Sequence, residues 1–159
     1  LDVIRQDLIV SSDWSDEEFD RLIKKLRSYS YQVRPDELDL VKIRCYVVEK
    51  RDFLLSMMEN PNLMEHETFT ELLRAVFHLA EEMKFREIIE DLPEEDIGHL
   101  TRDINRAYSM LVYEWVAYMK HLKENFPYFF SLAMRTNPFD QKASVVVGAG
   151  QGTQGPHAC

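Results

Sequence analysis

Carboxylates and imidazoles at helical spacing are the groups in this sequence that could hold a metal or move a proton. Helical bundles that bind two iron or manganese ions place Glu-x-x-His on two helices and an inward Glu on each of the other two. None of the five histidines here follows a Glu by three residues. The nearest patterns are Glu95 with His99, His78 with Glu81 or Glu82, and His121 with Glu124. Each reads as a surface pair, so no metal ligand set and no cofactor is expected.

Nucleophilic chemistry has less to offer. Cys45 falls within a predicted helix with no His or Asn on a motif around it, and reads as a small buried hydrophobe. Gly98 opens a long helix and the other four glycines lie from 148 onward, so there is no phosphate loop and no dinucleotide or cyclic-nucleotide pattern. Glu65-His66-Glu67-Thr68 reads as acids at the positive end of a helix dipole, with Thr68 or Asn62 as cap. Lys50-Arg51-Asp52 reads as a solvated face. The chain is therefore expected not to be an enzyme.

A different chemistry, that of contact, is concentrated between His121 and Phe139, where aromatics are dense and Arg135 stands between Met134 and Phe139. Aromatics, Met and Arg are the residue types enriched in protein interfaces. The plainer expectation is a short helix closing the end of a bundle, with Arg135 pairing an acid. The functional one is an exposed docking patch, drawn from Trp115, Tyr118, Phe126, Tyr128, Phe129, Phe130, Met134, Arg135 and Phe139.

Helices must position all of these groups. Glu94–Asn125 reads as one helix with a coiled-coil-like apolar seam: Ile97, Ile104, Leu111 and Tyr118 form one seven-residue row, and Tyr108, Trp115 and Leu122 another. At 1.5 Å per residue it spans roughly 48 Å. Pro93 ahead of Glu94, Glu95 and Asp96 marks its start. Ser15 with Glu18 is a capping box for a helix running to about Tyr29. Asp36 or Asp39 can cap a second, about 39–59, which Asn60-Pro61-Asn62 ends. A third spans about 65–87, and Pro127 begins a short apolar one. Residues 1–14 are acidic, with Leu8-Ile9-Val10 as their apolar cluster.

The expected fold is all-α: an up-and-down bundle of about four main helices, plus a short C-terminal helix, in a single domain over 1–147. From Gly148 the composition is Gly, Gln and Ala, and 148–159 is expected to be a flexible tail. A formal net charge of −9 argues against non-specific nucleic-acid binding. With two cysteines there is no disulfide framework, which suits a reducing compartment. No apolar run is long enough to span a bilayer, and Leu1-Asp2-Val3-Ile4-Arg5 is not a signal peptide. The chain is expected to be soluble, and the missing initiator Met to reflect processing or excision.

Several blocks carry a resemblance: Lys50-Arg51-Asp52-Phe53-Leu54-Leu55, Glu59-Asn60-Pro61-Asn62-Leu63, Glu65-His66-Glu67-Thr68-Phe69-Thr70, Leu72-Leu73-Arg74-Ala75-Val76-Phe77-His78-Leu79, and the stretch from Tyr128 to Asp140. Together, over about residues 38–147, they resemble the soluble region after the pore in prokaryotic two-transmembrane potassium-channel-like proteins of the ion transport 2 type. No Thr-Val-Gly-Tyr-Gly filter is present, so no filter or gating residue is carried over. The resemblance implies a cytoplasmic domain, tethered to the cell membrane through a pore-forming segment, with a role in subunit assembly or regulation of ion transport. The alternative is a free-standing cytosolic adaptor docking through 126–139. Potassium channels surround one pore with several subunits, so weak self-association, as a dimer or higher, is expected through the 97–122 helix or the 126–139 block.

Overall fold

Local signals place most helix ends. The computed structural model describes residues 2–146. Its elements are α1 (Asp2–Arg5) leading into a 3₁₀ turn (Gln6–Leu8), α2 (Asp16–Ser28), a second 3₁₀ turn (Pro35–Glu37), α3 (Leu40–Glu49), α4 (Arg51–Met58), α5 (Pro61–Met64), α6 (Glu67–Lys84), α7 (Glu94–Asn125) and α8 (Pro127–Arg135). The all-α expectation holds, and no strand occurs among the described residues. The expected tail, 148–159, lies outside them.

Ser15 caps α2 through the reciprocal box with Glu18. Asp39 caps α3 by accepting from the Lys42 amide at 2.9 Å. Two expectations need correcting. The single helix expected over 39–59 is two, because the chain leaves ideal geometry at Lys50 (φ −86°, ψ 0°). That bend lets both α3 and α4 pack on α6. The cap expected for the third helix is elsewhere too. Asn60 caps the one-turn α5 instead, and His66 precedes α6 without a side-chain bond.

Helix α7 is the spine. Helix α6 lies antiparallel along its N-terminal half, as the pairs Arg86–Asp96 and His78–Asp103 show. Helix α2 lies antiparallel along its C-terminal half, as Lys120–Asp20 and Arg27–Tyr113 show. Two apolar clusters result. One gathers Leu79, Ala80, Met83, Leu100 and Ile104 under α3 and α4. The other gathers Ile4, Leu8, Phe19, Val116, Met119 and Phe130 between the N-terminus, α2 and α8.

Serving two partners in succession changes which face of α7 is buried. The buried positions step 100, 104, 107, then jump to 112, 116, 119 and 122, and that five-residue step turns the stripe part-way round the helix. A strict seven-residue row meanwhile drifts by about 20° per heptad on a straight helix. The row Ile97–Ile104–Leu111–Tyr118 therefore walks out of the interior, leaving Leu111 50% and Tyr118 56% exposed. The row Tyr108–Trp115–Leu122 walks in, with all three packed against the second cluster.

Residues 4–14, in which the sequence singles out only Leu8-Ile9-Val10, are structural. Ile4, Leu8 and Val10 are buried beside Phe19 and Met119. Cys45, expected inside, is exposed on α3.

Candidate functional site

Helix α8 is built from two faces. Phe130 is 5% exposed, and Ala133 and Met134 pack beside it on the second cluster at helical spacing. The opposite face carries Tyr128, 91% exposed, with Phe129 and Leu132 also exposed. Phe126 precedes the helix, exposed, with His121 at 5.7 Å and Phe129 at 6.2 Å between ring centroids. Tyr118 adds a further exposed ring on the same half of α7.

Nine residues were candidates for a docking patch, and the structure divides them. Tyr118, Phe126, Tyr128 and Phe129 are on the surface. Phe130 and Met134 face the core, and Trp115 meets Phe139 edge to face at 5.0 Å. Among the described residues Arg135 pairs with no acid, contrary to expectation: it donates to the Ser131 and Val145 carbonyls, at 3.3 and 2.6 Å. Leu132 was missed, although its place three residues beyond Phe129 puts it on the same helix face.

Two clefts flank α7. One, of about 520 Å³, lies between the N-terminal turn and the α8 end, lined by Ile4, Leu8, Leu111, Trp115 and Phe139. Arg5 crosses its rim to donate to the Phe139 carbonyl at 2.8 Å. The other, of about 450 Å³, lies between α2, α6 and α7 and includes Glu67, Glu71 and Glu114. There Arg27 sits 5.5 Å from the Tyr113 ring centre and donates to its hydroxyl at 3.0 Å.

A polar cluster joins α6 to α7. Arg86 donates to both oxygens of Asp96, at 2.6 and 2.7 Å, and to Glu82 at 2.7 Å. These bonds hold the Glu82 and Asp96 carboxyls below the usual carboxylate range and raise the guanidinium further. Beside them, His78 Nε2 stands 3.6 Å from Asp103 Oδ2 and 3.9 Å from Glu82 Oε1. His99 Nε2 stands 3.4 Å from Asp103 Oδ2 and 3.6 Å from Glu82 Oε2. The expected pairs were therefore only partly right. His78 does face Glu82, but Glu81 is taken by Arg51. His99 faces Asp103 and Glu82, with no contact to Glu95, and His121 meets Asn125 in place of Glu124.

Comparison with known proteins overturns the ion-transport reading. Residues 1–135 match the family described as "Uncharacterized protein MJ1433, C-terminal helical domain". The uncharacterized protein MJ1433 of Methanocaldococcus jannaschii is 44% identical over 143 residues, which cover 90% of this chain and 58% of that protein. The chain thus spans well under two thirds of that relative's length. All but the last five residues of the blocks that resembled a potassium-channel-like protein fall within residues 1–135, and no described helix is long and apolar enough to cross a membrane. Runs such as Leu72–Leu79 are the apolar and charged faces any packed amphipathic helix must show, which is why they suggested the wrong family. No solved structure matches this chain. The chain belongs to the family of the MJ1433 C-terminal helical domain.

Proposed function

We propose that this chain is a non-enzymatic helical interaction module whose docking surface is the outer face of α8 with the adjoining rings Phe126 and Tyr118, and whose first partner is a second copy of itself. The observation that supports this is the split within α8. Phe130 alone would anchor the helix, yet Tyr128, Phe129 and Leu132 spend apolar surface on solvent. Exposed aromatic patches on small proteins mark binding sites.

Area decides how strong such a contact can be. A Phe or Tyr offers about 150–250 Å² when fully buried, so five partly exposed residues offer roughly 500–700 Å² per copy. Two copies meeting face to face would bury about 1,000–1,400 Å², the low end for a specific interface. A two-fold contact needs only one such self-complementary patch. The net charge of −9 opposes it, so association strengthens with salt.

Sedimentation equilibrium between about 10 µM and 1 mM, a range bracketing weak affinities, tests the reading. Concentration-dependent mass that disappears in Tyr128→Ser/Phe129→Ser supports it. A strict monomer throughout that range, at low and high salt, overturns it.

A further inference from the structure

We propose that the cleft between the N-terminal turn and the α8 end binds a small apolar monocarboxylate, with its body inside the cavity and its carboxylate on Arg5. Local spacing builds the walls. Ile4 and Leu8 stand one turn apart at the N-terminus, both buried. Tyr108, Leu111 and Trp115 follow one another at three and four residues and so share a face of α7. Phe139 closes the third side, in the turn that Asn137 ties to Leu8. The cavity of about 520 Å³ falls within the range of about 300–1,000 Å³ usual for small-molecule pockets. Its lining is apolar or aromatic apart from one cation, the combination that holds an amphipathic ligand in one orientation.

That cation is Arg5, half-buried at the rim. Its Nε donates to the Phe139 carbonyl at 2.8 Å, which fixes the side chain, while its Nη groups meet no acceptor among the described side chains. The acids beside it are engaged: Asp7 pairs with Lys25, and Asp140 accepts from the Lys142 amide at 2.8 Å. Past Arg5 opens a more polar cleft of about 360 Å³, where Asp140 and Lys142 offset each other and leave the Arg5 charge in surplus. A planar guanidinium matches a carboxylate, and one surplus charge suits that singly charged head better than a phosphate monoester of about −2. Burial pushes the Tyr108 hydroxyl up from its usual value, with the Arg5 charge pulling the other way. The hydroxyl therefore stays protonated at neutral pH, a second donor close to the guanidinium.

The cleft is suited to holding a ligand and not to converting it. None of its lining side chains is a nucleophile or a general base at neutral pH. Leu111, 50% exposed, stands at its solvent edge and offers apolar surface that an apolar body would cover. None of the lining residues belongs to the outer face of α8, so binding here is independent of the self-association proposed above.

The experiment titrates the isotope-labelled full chain at neutral pH with sodium octanoate, sodium hydrocinnamate and the uncharged octanol, followed by nuclear magnetic resonance. At least one acid should shift the Trp115 indole and the amides around Arg5 with a dissociation constant of about 1 mM or tighter. The tighter of the two tells a straight-chain body from an aromatic one. Octanol should bind at least about 10-fold more weakly than octanoate, the worth of one charge-assisted hydrogen bond, and Arg5→Met should abolish that preference. Because Arg5→Met also loses the bond to Phe139, Leu111→Glu is the second variant. Its position is half-exposed, so it should melt with the parent, yet weaken the tighter acid by at least about 10-fold by placing a like charge at the mouth. Tyr128→Ser/Phe129→Ser should bind as the parent does. No binding of either acid up to about 10 mM, octanol bound as tightly as octanoate, or the tighter acid undiminished in both Arg5→Met and Leu111→Glu, overturns the proposal.

Discussion

Asn137, just past α8, donates its Nδ2 hydrogen to the Leu8 carbonyl at 2.9 Å, joining the two ends of the fold across 129 residues of chain. Both partners are buried, and the Asn137 side-chain oxygen also accepts from the Phe139 amide at 2.9 Å. One amide thus satisfies a buried backbone carbonyl and shapes the turn that aims Phe139 at Trp115.

Asn137→Leu keeps the volume but orphans that carbonyl. It should cost about 1–3 kcal/mol of unfolding free energy, measured by urea denaturation. An unchanged midpoint would show that water replaces the bond without loss.

Phe130 and Tyr128 are two residues apart and face opposite ways. Phe130→Ala removes a buried ring and should cost about 3–5 kcal/mol. Tyr128→Ala should stay within about 0.5 kcal/mol of the parent. Trp115 packs with Phe139, so Trp115→Ala belongs with the destabilising class. It tests packing more than association.

Arg86 carries the acid sensitivity of the α6–α7 junction. Glu82 and Asp96 have carboxyls held low by their bonds to it. A lowered carboxyl stabilises the fold above its unfolded value of about 4, and that stability is lost as pH falls through the folded value. Arg86→Met should therefore cost about 1–3 kcal/mol at pH 7 and show a shallower loss of stability below about pH 4. Urea titrations at several pH values would decide it; parallel acid limbs would contradict the assignment.

Tyr31 should govern the alkaline side. Burial, with Tyr108 and Tyr29 close by, pushes its hydroxyl up to about 12, and that hydroxyl has no hydrogen-bond partner among the described residues. Its neutral form is favoured in the fold, so the stability it provides is complete below about pH 10 and drains away as pH rises towards its folded value. Tyr31→Phe should flatten that decline and leave neutral-pH stability unchanged or raised by up to about 1 kcal/mol. Spectrophotometric titration of the tyrosines would show one fewer late-titrating ring.

Much of the fold was legible in the sequence because helix ends are written locally. Ser15 with Glu18, Asp39, Pro93 and Pro127 act within one turn of themselves, and α7 and α8 begin and end where these signals and the apolar period put them. Which rings lie outside was not legible. Leu111 and Tyr118 share a row with Ile104, and only the change of partner from α6 to α2 along α7 decides that they face solvent. The burial of Ile4, the kink at Lys50 and the bond from Asn137 to Leu8 depend on surfaces remote in sequence.

The polar cluster is the clearest case. A local reading finds His78 four residues before Glu82 and an acid near His99, and each alone is a surface pair. Antiparallel packing of α6 on α7 stacks the two pairs so that both imidazoles face the Asp103 carboxylate on one side and the Glu82 carboxylate on the other. Sequence spacing fixes which residues share a face of one helix, because the backbone period is local. Which face meets which is settled only by burying the apolar stripes together, and a site shared by two helices exists nowhere until that has happened.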